Sequence, residues 1–325
     1  MQVIVTGAAG YVGSHVCHEL LSQGLEVIAI DDLSAGKQAF LDPRATFFHG
    51  KVQDEKFLMG VFSQLKDPAQ SGVIHCAGLK FAGESVKFPI SYYENNTVAV
   101  QVLLKAMTFF SIRSLVFSSS CSVYGSLKDS KPVAEDAELN PVSPYGRSKY
   151  FAEKMISDSI DSSELKAVAL RYFNVGGNSP GLGFDISPHN LLPNLYRAIT
   201  SKTAFSVFGG DYNTPDGSCI RDYVDVSILA KAHVVALQKL LERENLEFAY
   251  NLGSGTGSSV YEIVRVAKEE ISQELTFTTV SARVGDPARI MADTSLAKRD
   301  LAWSHSVSIR EIVLSGWKAW VSNSK

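Results

Sequence analysis

The sequence has few cysteines, and they follow no pattern that would use them together. The four cysteines, Cys17, Cys76, Cys121 and Cys219, form no C-x-x-C pair and do not cluster with histidine. This spacing argues against a disulfide framework and against a structural zinc site, so no metal is expected. Cys17 and Cys76 stand in apolar patterns, and we expect them to be buried as small hydrophobic side chains.

The chain also lacks an excess of positive charge and any long apolar run. Lys and Arg number 31 against 34 Asp and Glu, which gives a formal net charge of −3. This balance predicts no basic nucleic-acid footprint, so a phosphate ligand would have to be held by local groups. No apolar run approaches the length of a membrane span, and the N-terminus has no signal-peptide pattern. We therefore expect no nucleic-acid partner, no membrane contact and a cytoplasmic location.

Short apolar β runs alternate with amphipathic helical patterns through the first half of the chain. Buried parallel strands are predicted at residues 3–6, 26–30, 73–76, 115–118 and 166–171. Helices are predicted at residues 12–22, 55–65, 90–110 and about 143–159. This alternation predicts an α/β fold with a Rossmann-type doubly wound parallel sheet and helices on both faces.

The pattern changes after Asn174. Residues 174–190 are rich in Gly, Pro, Ser and Asn and predict a loop. Strands at 205–208, 248–252 and 275–280 and helices at 224–241, 259–271 and 308–321 then predict a smaller mixed α/β C-terminal lobe. We therefore expect a sheet domain at 1–174 and a second lobe at 175–325, with residues 224–252 returning to the first domain.

Three glycines directly after the first predicted strand indicate a dinucleotide site. Gly7, Gly10 and Gly13 form G-x-x-G-x-x-G at the start of a helix. In such a turn the glycines permit a tight bend, a close approach of backbone to pyrophosphate, and close packing of helix on sheet. Asp31 ends the second predicted strand, where a carboxylate binds ribose hydroxyls and repels a 2′-phosphate, so NAD is expected rather than NADP. The alternative is a strand–helix turn with incidental glycines.

A serine, a tyrosine and a lysine in the middle of the chain could carry out hydride chemistry. Tyr145 and Lys149 are four residues apart and share a helix face. An ammonium near a phenol favours the phenolate, which can serve as a general base on a substrate hydroxyl. Ser120 follows a buried strand, where its hydroxyl can bond the same substrate oxygen. The alternative is an ordinary exposed helix face, which the dinucleotide pattern disfavours.

These segments and several others give the chain a resemblance to a known family. The segments are TGAAGYVGSH, HCAGLKFAGES, YYENN, FSSSCSVYG, SPYGRSKYFAE, LRYFN, VFGGDYNTPDGSCIRDYVDV and YNLGSG. Over nearly its whole length the chain resembles the extended short-chain dehydrogenase/reductases, and within them the nucleotide-sugar 4-epimerases. Segments 78–80 and 211–223 are the most specific to that branch.

The resemblance implies an NAD-dependent isomerase that interconverts UDP-glucose and UDP-galactose. Tyr145, helped by Ser120 and Lys149, would remove the proton of the sugar 4-hydroxyl while hydride passes to a bound NAD. The 4-keto sugar would then rotate and receive hydride on its opposite face. The positions that the resemblance places around the cofactor are Gly7, Gly10, Tyr11, Val12, Gly13, Asp31, Cys76, Ala77, Gly78, Lys80, Asn96, Ser118, Tyr145, Lys149 and Phe173.

The resemblance also implies a UDP-sugar site and a homodimer. The positions implied for the UDP-sugar are Lys80, Ser120, Tyr145, Asn174, Asn190, Leu191, Phe208, Arg221, Arg283 and Ile290. Two arginines suit a pyrophosphate because their guanidinium groups form charge-assisted, often bidentate bonds. The dimer would pair the helices predicted at 90–110 and 143–159 in a four-helix bundle. Val98, Val102 and Met107 are spaced either for that interface or for packing on the chain's own sheet.

Two positions depart from the family pattern. Lys51, in HGKVQDE, takes the place of an Asp that contacts the adenine amino group, and a lysine cannot accept that hydrogen bond. Either Gln53 or Asp54 substitutes for it, or the adenine is held less tightly. Ile290 stands where a large aromatic residue is associated with exclusion of N-acetyl sugars and a small residue with their admission. We therefore expect partial activity on UDP-N-acetylglucosamine, and the short loop at 181–189 would shape the same pocket.

Other activities of the same fold are less well matched. A 4,6-dehydratase would need an acid pair directly after Ser120, where this chain has Cys121 and Ser122, and a UDP-glucuronate decarboxylase usually carries a Glu in this stretch. A UDP-glucuronate 4-epimerase stays open, because Arg221 or Arg283 could face a carboxylate. A non-enzymatic NAD sensor is disfavoured, because such proteins commonly lose the tyrosine or the lysine that this chain has.

Overall fold

The computed structural model describes residues 1–125, 131–283 and 286–323. The strands are β1 (Gln2–Thr6), β2 (Glu26–Asp31), β3 (Thr46–His49), β4 (Gly72–His75), β5 (Ser114–Ser120), β6 (Lys166–Tyr172), β7 (Asn174–Gly176), β8 (Phe205–Phe208), β9 (Ile220–Arg221), β10 (Tyr223–Asp225), β11 (Ala249–Leu252), β12 (Ser258–Ser259), β13 (Phe277–Val280) and β14 (Arg289–Ile290). The helices are α1 (Tyr11–Ser22), α2 (Glu55–Phe62), α3 (Ala82–Lys87), α4 (Pro89–Tyr93), α5 (Ala99–Phe109), α6 (Pro144–Ser162), α7 (Leu191–Ser201), α8 (Val226–Leu241), α9 (Val260–Glu270), α10 (Ser295–Asp300) and α11 (Ile309–Asn323). Among the helices described, none has both the length and the apolar character that a bilayer span requires.

Seven parallel strands form the central sheet, in the order β11-β6-β5-β4-β1-β2-β3. From β1 the chain builds the sheet outward to β3, then returns to place β4 on the other side of β1. This reversal leaves a crevice at the carboxyl ends of β1 and β4, which is where such sheets bind their ligands. The predicted Rossmann-type doubly wound sheet is confirmed.

Both faces of the sheet are covered, which explains the continuous apolar runs of its strands. Successive side chains of a strand point to opposite faces. Val3 and Val5 of β1 lie in one buried cluster with side chains of α1 and α8, and Ile4 lies in another with side chains of α2, α5 and α6. The helices that carry the candidate site residues are therefore fixed to the sheet from both sides.

The C-terminal half contributes to the central sheet and also builds a second core. Strand β11 pairs with β6 from Ala249–Ala169 to Leu252–Tyr172, and α8 packs on α1. The remaining strands form three small sheets, which are β7 with β10, β8 with β13, and β12-β9-β14. Helices α7, α9 and α11 share the second hydrophobic core with β8.

The helix predicted at 90–110 is interrupted. Helix α4 ends at Tyr93, the π-helical turn Glu94–Val98 follows, and α5 starts at Ala99. A π-turn inserts an extra residue into a helix and often marks a functional position. Here it includes Asn96, whose contacts are described below.

The other corrections concern ends and short elements. The helix predicted from residue 224 begins at Val226, because residues 223–225 pair with β7 and Asp225 caps the helix by accepting from Ser227 N at 2.9 Å. Strand β7 lies inside the segment predicted as a loop. Strand β3 and helix α7 were not predicted, because β3 (TFFH) has two adjacent apolar residues and no buried run, and α7 begins directly after a stretch dominated by turn residues.

Candidate active site

In the glycine-rich turn between β1 and α1, the positions of Gly7 and Gly13 have no room for a side chain. Gly7 has φ +68°, and a Cβ built on it would lie 2.5 Å from the Ala77 amide nitrogen. A Cβ on Gly13 would collide with the Gly7 carbonyl oxygen. Gly10 is the N-cap of α1 and provides no side-chain cap. The first amide groups of this helix can therefore receive an anion, which the helix dipole favours.

The residues that open α1 bind it to other parts of the chain. Tyr11 is buried, and its hydroxyl donates to the Gly177 carbonyl at 2.5 Å. Val12 packs against the core formed with α8. The N-terminus of α1 is thus fixed between the sheet and the segment that leads into the C-terminal lobe.

Asp31 lies buried at the carboxyl end of β2, beside the glycine-rich turn. Its two carboxylate oxygens accept from Ala9 N at 2.9 Å and from Leu33 N at 2.8 Å. Burial raises the pKa of Asp31, and these two backbone hydrogen bonds act against that rise. The bonds fix the orientation of the carboxylate, which is the arrangement a ribose-binding acid needs.

Residues 76–78 lie between the glycine-rich turn and the candidate catalytic lysine. Cys76 N donates to the Thr6 carbonyl at 2.9 Å, and Ala77 contacts Gly7 as described. Gly78 has φ +149°, and a Cβ on it would lie 2.8 Å from Asn96 Oδ1 and 3.5 Å from Lys149 Nζ. The positive φ and the close approach to Asn96 Oδ1 require glycine here, and Lys149 Nζ lies at ordinary contact distance.

Asn96 holds the turn that follows β4. Its Oδ1 accepts from Leu79 N at 2.8 Å, and its Nδ2 donates to the Leu79 carbonyl and to Ser148 Oγ, each at 2.9 Å. The π-turn therefore joins the 78–80 segment to α6 through one buried amide. In the structure this predicted cofactor residue fixes the position of the 78–80 segment at the edge of the crevice.

Ser120, Tyr145 and Lys149 come together at the carboxyl end of β5. Ser120 is the last residue of β5, and Ser143 caps α6 by accepting from Gly146 N at 3.1 Å, which fixes the start of the helix. Lys149 Nζ donates to the Ser118 carbonyl at 2.8 Å. Ser120, Tyr145 and Lys149 are 7%, 8% and 5% exposed, so water is largely excluded from the group. Phe173, directly after β6, is also buried.

The surroundings of Tyr145 and Lys149 favour their neutral forms. Burial raises the pKa of Tyr145 to about 12, and a hydrogen bond with the Ser120 side chain acts in the opposite direction. Burial lowers the pKa of Lys149 to about 8, while Cys76 and Glu153 act to raise it. The phenolate of Tyr145 therefore needs additional positive charge beside it, which a cationic ring bound in the crevice would supply.

Part of the predicted sugar site forms around β9. Arg221 Nη2 bonds Asp286 Oδ1 at 2.5 Å, and the arginine side chain is 14% exposed. Ile290 pairs with Arg221 across the neighbouring strands β14 and β9. Asn174 Nδ2 donates to the carbonyl of Asp222 at 3.1 Å. Burial raises the pKa of Cys121, the residue that follows Ser120, to about 12, and the charge of Arg221 acts in the opposite direction.

The other predicted sugar residues form two further groups. The Arg283 guanidinium lies over the Phe208 ring, 4.1 Å from its centroid. Asn190, the N-cap of α7 next to Leu191, donates its Nδ2 to Asp185 Oδ2 at 2.7 Å. Lys80 Nζ lies 3.2 Å from the other oxygen of the same carboxylate. Asp185, which sequence reasoning missed, thus joins a predicted cofactor residue to a predicted sugar residue.

A buried ion pair behind the catalytic group was also missed. Glu153 and Arg171 are buried and bonded to each other, and Glu153 accepts from the Ser119 hydroxyl. The spacing of Glu153, four residues after Lys149, was a signal for it, because it puts both side chains on one face of α6.

The segment around Lys51 has a specific arrangement. Lys51 is exposed and Val52 is buried. Asp54 accepts from Phe57 N at 3.0 Å as the N-cap of α2, and Gln53 Nε2 donates to Asn95 Oδ1 at 2.7 Å. The Asp54 carboxylate is therefore used to start a helix.

Comparison with known proteins agrees with this geometry. Residues 3–253 match the model of the NAD dependent epimerase/dehydratase family. The UDP-glucose 4-epimerase of Lactobacillus helveticus is 38% identical over 330 residues, which cover 100% of this chain and 98% of the relative. The crystal structure of the UDP-glucose 4-epimerase of Bifidobacterium longum in complex with NAD+ and UDP superposes with a TM-score of 0.90 at 34% identity, over 100% of this chain and 99% of that one.

A second solved structure similar to the chain belongs to an epimerase named for two sugars. The UDP-Glc/GlcNAc 4-epimerase of Campylobacter jejuni gives a TM-score of 0.84 at 30% identity, over 99% of each chain. The match to the family model covers well over half of the sequence, and the relatives match it from end to end. The chain belongs to the NAD dependent epimerase/dehydratase family.

Proposed function

We propose that the protein is an NAD-dependent isomerase that interconverts UDP-glucose and UDP-galactose at sugar carbon 4. The observation that carries this proposal is the buried group of Ser120, Tyr145 and Lys149, with residues 76–78 between it and the glycine-rich turn. A base placed directly beside a dinucleotide crevice suits proton removal coupled to hydride transfer. The epimerases described above, similar over nearly the whole chain, support this substrate.

The crevice fits NAD in its chemistry. The uncapped N-terminus of α1 offers amide groups to the pyrophosphate, and no side chain in the glycine-rich turn blocks the approach. Asp31 offers a fixed carboxylate to the ribose hydroxyls and disfavours a 2′-phosphate. Bound there, NAD supplies a hydride acceptor and, in its reduced form, a hydride donor.

The chain's own residues then handle the proton. The Tyr145 oxygen takes the proton of the sugar 4-hydroxyl and returns it at the end of the cycle. Ser120 bonds the same oxygens, and the Lys149 ammonium, held by the Ser118 carbonyl, stabilises the phenolate. The 4-keto sugar turns within the pocket between the two transfers, so the product differs at carbon 4.

The UDP-sugar is held by the C-terminal lobe. Arg221 and Arg283 supply the positive charge for the pyrophosphate, with Asn174, Asn190, Leu191 and Phe208 around the nucleotide and the sugar. We assign residues 1–174, with 224–252, to the NAD domain and the remainder of 175–325 mainly to the sugar-binding lobe. A cytoplasmic location stays a prediction from the sequence.

The first experiment is conversion of UDP-galactose and UDP-N-acetylgalactosamine side by side, without added NAD. We expect UDP-galactose to be the better substrate and the N-acetyl sugar to give partial activity, because Ile290 is intermediate in size. Tyr145→Phe should lower kcat by at least about a hundredfold, the usual minimum for loss of a general base, while bound NAD is kept. Tyr150→Phe, on the same helix, is the matched control.

Other outcomes would select the alternatives. Activity on UDP-glucuronate alone would identify a uronate 4-epimerase, in which an arginine faces the carboxylate. Binding of NAD without conversion of any of these sugars, even with NAD added, would favour the non-enzymatic sensor.

We also propose that the protein forms a homodimer through α4, α5 and α6. These helices lie side by side, since α6 contacts both α4 and α5. Ile90 is 75% exposed, Val98 41% and Phe151 45%. Apolar side chains of α4, of the π-turn before α5 and of α6 are therefore open to solvent. Val102 and Met107 are buried in the chain's own core. A second copy, which presents the same surface through two-fold symmetry, would cover this face.

A further inference from the structure

The ion pair between Glu153 and Arg171 is almost completely buried, which is weak evidence by itself that the pair stabilises the fold. Arg171 Nη2 lies 2.7 Å from Glu153 Oε2, and Arg171 Nε lies 3.0 Å from Oε1. Their side chains are 5% and 3% exposed. Removing two charges from water costs several kcal/mol per ion, so an apolar pair of similar volume is often no less stable. The contacts of these two charged side chains therefore bear on what the ion pair does.

One end of the pair reaches the catalytic strand. Ser119 Oγ donates to Glu153 Oε1 at 2.5 Å. Ser119 stands between Ser118, whose carbonyl accepts from Lys149, and the candidate catalytic Ser120. Glu153 lies one helical turn after Lys149 on α6. The carboxylate therefore connects the helix that carries Tyr145 and Lys149 to the strand end that carries Ser120.

The other end of the pair anchors it in the sheet. Arg171 Nη1 donates to Tyr124 Oη and to the Glu135 carbonyl, each at 3.0 Å. Tyr124 in turn donates to Asn251 Oδ1 at 2.7 Å, and the backbone N–H of Asn251 donates to Glu135 Oε1 at 2.7 Å. Every partner in this chain of bonds is fixed by another partner, so Glu153 cannot move without breaking several hydrogen bonds.

We propose that Glu153 is a positioning residue that, through Ser119 and Arg171, sets the placement of Ser120 and Lys149 relative to Tyr145. This inference rests on the proposed epimerase function for its kinetic readout. It concerns residues that do not touch the substrate and act through their neighbours.

The charge of Glu153 also supports the ammonium of Lys149. Lys149 is faced by His75 and Cys76 from the end of β4, by the Phe117 ring from β5, and by Glu153 from its own helix, on which Tyr145 lies one turn earlier. Burial lowers the pKa of His75 to about 3 and raises that of Cys76 to about 11, so both are neutral near pH 8. Within the described parts of the chain, Glu153 is thus the anion that supports protonated Lys149.

The most conservative substitution removes only the hydrogen bond between Glu153 and Ser119 of β5. Ser119→Ala breaks the bond to Glu153 and leaves the ion pair with Arg171 in place. We expect kcat for UDP-galactose to fall about tenfold with KM unchanged, because a small misplacement of reacting groups lowers the rate more than the binding. Ser71→Ala is the matched control, since Ser71 is also buried and donates to a backbone carbonyl before β4, at the amino end of the sheet.

Two substitutions of Glu153 separate the effect of its negative charge from the effect of its packing. Glu153→Gln keeps the shape but removes the anion and leaves Arg171 unbalanced, so the pKa of Lys149 should fall further and the alkaline limb of kcat should move to lower pH. Glu153→Asp keeps the charge and should restore the position of that limb. Lower thermal stability with an unchanged kcat and pH profile in Ser119→Ala and Glu153→Gln would overturn the proposal.

Crystal structures of the wild-type and Glu153→Gln holoenzymes give a readout that needs no substrate. We expect the bond between Lys149 Nζ and the Ser118 carbonyl to lengthen beyond hydrogen-bond range in the variant. An unchanged bond would count against the positioning role even if the wild type proved inactive on UDP-sugars. Inactivity of the wild type would instead overturn the proposed function and leave this structural comparison decisive for Glu153.

Discussion

At the scale of single residues, Lys51 is a position where the resemblance predicts a departure from the family pattern. Strand β3 ends at His49, which pairs with Asp31 of β2, so Lys51 lies just beyond the sheet edge that holds Asp31, the proposed ribose-binding acid. An ammonium group has no acceptor for the adenine amino group. Asp54, one of the two substitutes suggested by the sequence, is already used as the N-cap of α2.

We therefore predict that Lys51→Asp strengthens NAD binding. A new bond between an amine and a carboxylate is worth about 1.5 kcal/mol or more, which corresponds to roughly a tenfold lower Kd. NAD content after gel filtration, together with titration of the stripped protein, would measure it. Lys56→Asp makes the same charge change at an exposed position of α2 and should leave NAD binding unchanged. Full NAD retention by the wild type and no gain in Lys51→Asp would contradict the prediction.

The sequence could indicate some site residues and not others, for a physical reason. Tyr145 and Lys149 are recognisable because helical spacing puts them on one face of α6, and Asp31 because it ends a strand after a glycine-rich turn. Asp185 is not recognisable, since its partner Lys80 is 105 residues away and only the folded chain brings them together. Glu153 shares a face of α6 with Lys149, but its ion-pair partner Arg171 comes from strand β6.

At the scale of elements, the turn between β1 and α1 is the most constrained connection in the crevice. We predict that Gly13→Ala destabilises the protein and abolishes NAD retention, because its Cβ would collide with the Gly7 carbonyl that the turn requires. Gly60→Ala is the matched control. A Cβ there meets nothing within 4 Å, and the residue lies within α2, so alanine should raise the free energy of unfolding by about 0.5–1 kcal/mol.

Urea unfolding of both variants, followed by NAD content, would check this pair of opposite effects. A Gly13→Ala variant that keeps both its urea midpoint and its NAD would show that the turn can shift to accept a methyl group.

The π-turn illustrates what the sequence cannot specify at this scale. Apolar spacing predicted one helix over 90–110, because a single inserted residue hardly alters the pattern of a long apolar helix. The turn exists where Asn96 must face the 78–80 segment, and that requirement arises from tertiary contacts. Strand β3 was missed for a different reason, since its sequence TFFH gives neither a buried apolar run nor a strict alternation.

At the scale of the whole molecule, the C-terminal lobe is bonded directly to the helix that opens the NAD crevice. Tyr11 donates to the Gly177 carbonyl, and His15 Nε2 accepts from Ser179 N at 3.2 Å while Nδ1 donates to the Tyr11 carbonyl. Burial lowers the pKa of His15 to about 4, so the ring is neutral and can accept from Ser179 at physiological pH. The two ligand sites are thus held in a fixed relation by groups that do not titrate near neutrality.

The exposed apolar face of α4, α5 and α6 gives the last prediction. We expect the wild type to have twice the 35.3 kDa mass of the chain in sedimentation velocity. Phe151→Glu should convert it to a monomer, because two-fold symmetry would bury the new carboxylate twice in an apolar interface. We expect the dimer Kd to rise at least about a hundredfold, since each buried unpaired charge costs several kcal/mol. Phe277→Glu, on the distant strand β13 and similarly exposed at 39%, is the matched control. A wild type that sediments as a monomer would show that no second copy covers this face, and a Phe151→Glu protein that stays dimeric would place the interface elsewhere.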